Sequence, residues 1–80
     1  MKQNIVVVSL RENADGTRFG FGVTENTGEN VYIPVNSIAF AKCPVEEGRS
    51  YKVALSENAN HSEKAAYFCT FIFEESFSNE

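Results

Sequence analysis

The chain has 80 residues, of which 42% are hydrophobic and 22% charged, the proportions of one soluble globular domain with a small core. No apolar run nears the roughly 20 residues of a membrane-spanning helix, and a net charge of −4 is unlike the basic surface of most nucleic-acid binders. Glu74, Glu75 and Glu80 gather at the end of the sequence, which divides it into a domain over 1–73 and an acidic tail over 74–80 and leaves the body closer to neutral.

The first stretch, "MKQNIVVVSLREN", carries an apolar run too short for a signal-peptide core and no small-residue cleavage site, so an intracellular, cytoplasmic protein is expected. Its centre, "IVVVSL" (5–10), is the first strand candidate. "ENADGT" (12–17) holds Asp-Gly, a strong turn signal. "TRFGFGV" (17–23) follows, then a second turn in "ENTGEN" (25–30), then "NVYIPV" (30–35). "NSIAFA" (36–41) fits a single helical turn, with Asn36 or Ser37 as its N-cap. The loop "AKCPVEEG" (41–48) leads to "SYKVAL" (50–55), and the polar loop "SENANHSE" (56–63) leads to "AAYFCTFIF" (65–73). Five short strands spaced by about 8–12 residues predict an all-β domain, a small barrel or sandwich.

Alternation assigns the faces. Val31, Ile33 and Val35 share one side of the third run, and Tyr32 and Pro34 the other; the β-branched set is the natural core. In the fourth run Tyr51, Val53 and Leu55 point inward. The second run, "RFGFGV", leaves two arrangements open. Plain alternation puts Phe19, Phe21 and Val23 in the core, with Arg18, Gly20, Gly22 and Thr24 outside. A bulge at Gly22 instead lets Val23 point inward while Phe19 and Phe21 point to solvent, beside Tyr32 and Arg18. Exposed rings in a cluster mark an interaction site, and rings on a sheet can stack unpaired bases.

These residues carry a resemblance. "RFGFGV…VYIPVNSI…EEGRSYKV…AAYFCTF" is similar to the cold-shock domain. Phe19, Gly20 and Phe21 match the centre of that family's first nucleic-acid motif, with Val23 at its final aliphatic after one inserted residue. Val31, Tyr32 and Ile33 match the opening of the second motif, and Asn36, Ser37 and Ile38 roughly its close. "VEEGRSYKV" (45–53) and "KAAYFCTF" (64–71) resemble the later family segments, so the likeness runs from about residue 5 to residue 73. It implies a five-stranded antiparallel OB-fold barrel that binds single-stranded RNA or DNA. The implied base contacts are Phe19, Phe21 and Tyr32, with Pro34 a further candidate at the family's histidine position; Arg11 and Arg18, which flank the first turn, are the candidate phosphate contacts. The chain has no tryptophan, has Pro34 in place of the family's histidine, Val35 in place of a phenylalanine and Thr17 in place of a lysine. A platform so reduced, on a nearly neutral body, predicts weak binding of low specificity, in the manner of an RNA chaperone.

Other chemistries lack their residues. Cys43 and Cys69 fit no metal-ligand spacing; two reduced, partly buried thiols are expected, and a disulfide between them stays open. His61 is the single histidine, in a polar loop, and no acid is placed to form a triad with it. "GFG" lacks the lysine and the strand-to-helix context of a phosphate loop. Lys42, Arg49, Lys52 and Lys64 are scattered, as solubility charges usually are. No enzyme, cofactor, metal or membrane is expected. The competing expectation is a protein–protein or homodimer surface on a degenerate OB-fold, which low positive charge favours. Phe77, alone in the acidic tail, is a loose end or a cap on a sheet edge.

Overall fold

A computed structural model describes residues 2–57 and 65–76. His61, Lys64 and Phe77 lie outside that range. The elements are β1 (Lys2–Glu12), β2 (Arg18–Thr24), β3 (Asn30–Ile33), a short helix α1 (Val35–Ala39), β4 (Ser50–Glu57) and β5 (Tyr67–Glu75). They close into a barrel in the order β1-β2-β3-β5-β4, an OB-fold-like all-β architecture. Four seams are antiparallel, as expected; the fifth, β3 against β5, is parallel, through Val31↔Tyr67 and Tyr32↔Phe68. That parallel seam follows from topology: the chain leaves β3 through α1, builds β4, and inserts β5 between the two. No helix among the described residues is long and apolar enough to cross a membrane.

The core is the set that alternation picked out in β3 and β4, less Val35, which begins α1 and is half-buried, joined by the inward residues of β1 and β5. Ile5, Val7, Val31, Ile33, Tyr51, Val53, Leu55, Cys69 and Ile72 are all buried together. Tyr51 is a core residue with a polar tip: its hydroxyl donates to the Pro44 carbonyl at 2.9 Å and accepts from the Glu46 amide at 2.9 Å. The loop after α1 is thereby tied to the barrel floor. The same loop pairs with β1, through Val7 N–H to the Arg49 carbonyl and Gly48 N–H to the Val7 carbonyl. Glu47 accepts the Leu10 amide at 2.8 Å.

The second run does not follow either arrangement open in the sequence. β2 is unbroken and has no bulge at Gly22; its ladder with β3 runs evenly from Gly20↔Ile33 to Val23↔Asn30. Alternation is strict, but Gly20, Gly22 and Thr24 are the buried set, while Phe19, Phe21 and Val23 lie half-buried on the outer side. The irregularity sits across the seam, on β1 between Val7 and Ser9. The cause is steric. A Cβ on Gly20 would lie 2.6 Å from the Ser9 carbonyl oxygen, and one on Gly22 would run into the Val6 carbonyl. β1 coils so closely over the inner face of β2 that no side chain fits there, so the rings take the outside. Glycine serves here through close backbone approach.

Two smaller expectations also change. The residue capping α1 is Pro34, with no side-chain cap; Ser37 is buried and donates to the Cys69 carbonyl at 2.6 Å. β5 continues through Glu74 and Glu75, so these two acids belong to the barrel; Glu75 accepts from Arg49 at 2.9 Å.

Cys43 and Cys69 are free thiols, half-buried and buried. Burial pushes the Cys69 thiol up to about 12 from 9.0. Burial also raises Cys43 and Tyr51, with Glu75 a smaller contributor to each. All three are neutral when protonated and hold their protons more tightly when folded. Their contribution to stability is therefore complete below the ordinary value and is lost as pH climbs toward the folded one. From about neutral pH to about pH 9 denaturant midpoints should change little, and above it they should fall, a fall that Cys69→Ala should flatten in part. In the same assay at neutral pH, Gly22→Ala should lower stability by about 1–3 kcal/mol, the typical cost of overpacking.

Candidate nucleic-acid interface

The outer face of β2, β3 and β5 carries four rings in contact. Phe19 and Phe21 stand two residues apart on β2, with ring centres 6.2 Å apart. The register Phe21↔Tyr32 brings Tyr32 alongside, 5.4 Å from Phe21 and 6.4 Å from Phe19. The parallel seam adds Phe68, 6.1 Å from Tyr32. Interplanar angles of 80°, 48°, 52° and 78° make the group a tilted mosaic of edges and faces. Aromatic pairs prefer such arrangements over face-to-face sandwiches. Phe68 is the most exposed member, at 37%. Sequence patterning missed it because the last run is apolar on both sides, so alternation could not orient it. The signal lay in topology, since the OB-fold strand order places the fifth strand beside the third.

Of the basic residues, Arg11 belongs to this face. It pairs with Phe19 across the β1–β2 seam, is exposed, and has no carboxylate partner among the described residues. Arg18 does not. It shares the side of β2 that holds Gly20 and Gly22, at the barrel's end, and its guanidinium donates to the Val45 carbonyl at 3.3 Å. The expected position beside the rings is thus corrected, and the reason is alternation itself: Arg18 and Phe19 are chain neighbours on β2 and project to opposite sides, which a bulge at Gly22, beyond both, does not alter. Pro34 sits half-buried one residue beyond the end of β3, where it starts α1.

The face is unevenly charged. Arg11 marks the Phe19 end. Near the opposite end, the Glu29 carboxylate beside Tyr67 raises that phenol's pKa, and Glu57 adds to the effect. The turn between β1 and β2 is a fixed structure: Asp15 accepts from both the Thr17 amide and the Thr17 hydroxyl, which holds its carboxyl below the usual range. Beside the rings the apolar surface continues as Val8, the inserted residue on β1, 59% exposed, and as the half-buried pair Val6 and Val23. No group of three or more metal-ligating side chains occurs among the described residues.

No family model, curated protein or solved structure matches this chain.

A ring on the outer face should matter less to folding than an inward residue of the same sheet. Phe21→Ala should cost about 1–2 kcal/mol, below the ~3–5 of a fully buried phenylalanine, while Ile33→Ala should cost about 2–5. Chemical denaturation of the two variants checks the order.

Proposed function

We propose that this protein binds single-stranded nucleic acid by stacking bases on Phe19, Phe21, Tyr32 and Phe68, with little sequence selectivity, as an RNA chaperone does. The observation that carries the proposal is the contiguous four-ring face on β2, β3 and β5. Stacking on an aromatic side chain contributes about 1–3 kcal/mol per base and tolerates any base, because every base has a π-face. In an OB-fold the surface of the second and third strands is the usual oligonucleotide face. The resemblance of "RFGFGV" and "VYIPVNSI" to the cold-shock motifs points the same way.

The electrostatics set the binding class. Phosphate neutralisation supplies most non-specific affinity, and here Arg11 alone among the described basic residues is paired across the ladder to one of the four face rings, on a chain of net charge −4. Affinity must come from the bases, and it should be weak.

A second reading has its own observation. Val8, exposed beside the rings, extends the face with aliphatic surface that nucleic acid does not use. On that reading the face docks another protein or a second copy of this chain. Its signature is a concentration-dependent dimer in light scattering that Phe21→Glu dissolves.

Fluorescence anisotropy with a labelled pyrimidine-rich single strand distinguishes the two. Binding should be micromolar or weaker. It should fall with salt at a log–log slope of about −0.7 to −1.4, the value for one or two phosphate contacts on a single strand. Phe21→Ala and Phe68→Ala should each weaken it about tenfold. No binding at high micromolar protein in low salt would contradict the proposal.

A further inference from the structure

Around the corner from the rings, at the end of β2, lies an open groove of about 280 Å³ between the β1–β2 turn and α1. Gly16, Thr17 and Arg18 form one wall; Val35, Ile38 and Ala39 form the other. Gly16 has φ +88, and a Cβ built on it would meet nothing within 4 Å, so the turn wall is open. The volume is close to the lower limit of small-molecule sites and suits one monomer unit.

Arg18 is the charged group of this groove. Its hydrogen bond to the Val45 carbonyl uses one of the guanidinium's five N–H donors; its cross-strand neighbour is Glu12, and the two form no ion pair. A guanidinium with donors to spare, facing an aliphatic wall, suits a group that is anionic at one end and flat or apolar at the other. Arg18 is also the chain neighbour of Phe19, on the opposite side of β2. The groove and the Phe19 edge of the ring face therefore meet at the same end of β2.

We infer that the groove receives the terminal nucleotide of a bound single strand, its end phosphate on Arg18 and its base against Val35, Ile38 and Ala39. This rests on the proposed stacking on the ring face, and it adds that the protein prefers phosphorylated strand ends.

The probes are thymidine hexanucleotides with no terminal phosphate, with a 5′-phosphate and with a 3′-phosphate. One of the two phosphorylated forms should bind the wild-type protein about tenfold more tightly than the plain form. Amide signals of Gly16 and Thr17 should shift only with that form. Arg18→Ala should abolish the difference. Because Arg18 also holds the Val45 carbonyl, Ala39→Glu is the second variant: it sets a carboxylate on the facing wall and should abolish the difference with every native contact of Arg18 intact. Equal binding of the three hexamers, all weakened by Phe21→Ala, overturns the groove inference and keeps the ring face. Absence of binding by all three overturns both. A free thymidine monophosphate that shifts Gly16 and Thr17 as strongly as the hexamer overturns the link to the ring face, leaving a separate mononucleotide site.

Discussion

The close passage of β1 over the inner side of β2 decides what this molecule presents to solvent. Carbonyl oxygens of Val6 and Ser9 occupy the space where side chains at Gly22 and Gly20 would be. Two inward positions of a central barrel strand are given up to backbone, and the alternate positions therefore face out. Those positions hold Phe19 and Phe21. A five-stranded barrel needs strongly coiled strands to close, and glycine lets one strand lie this close to its neighbour. The same feature that closes the barrel thus places two large rings on its surface.

Outward rings are not idle surface in so small a domain. Tyr32 meets Phe19 and Phe21 at a tilt and Phe68 edge to face, so the four shield one another and remain half-buried or just exposed. A second pair, Phe71 and Phe73, meets on β5 at 5.0 Å, with the Lys2 ammonium 5.0 Å from the Phe73 ring centre. That pair carries its own cation and packs as a local cluster. Among the described basic residues Arg11 stands beside the four-ring face, and acids lie near its far end. Any ligand that uses it must bring apolar or aromatic surface, and a long polyanion gains little from charge.

Much of the fold was legible because the turns are strongly marked and the core is β-branched. Asp15-Gly16 and the glycine of "ENTGEN" bound the first hairpins, and both glycines adopt positive φ. Val31, Ile33, Tyr51, Val53 and Leu55 declared their face by alternation with polar neighbours. What patterning could not supply was the third dimension. It weighed phenylalanine against glycine as candidates for the interior, and hydrophobicity alone favours the phenylalanine; the approach of a neighbouring backbone reverses that order. The bulge needed to turn the rings outward was assigned to Gly22, whereas the extra residue is Val8, across the seam. Arg18 stands away from the rings for a simpler reason: it is the chain neighbour of Phe19, and alternation turns the two apart. Phe68 was hidden in a run apolar on both sides, and only the parallel pairing of β3 with β5 reveals its neighbours.

The ring face is where sequence resemblance, barrel topology and aromatic geometry converge, and it can be observed directly. Aromatic-selective ¹³C NMR of the labelled protein, titrated with a pyrimidine-rich hexanucleotide, reads each ring separately. Ring signals of Phe19, Phe21, Tyr32 and Phe68 should move together and saturate, while those of Phe71 and Phe73 stay in place. Unchanged ring signals with the oligonucleotide in large excess, or shifts confined to Phe71 and Phe73, would contradict the account.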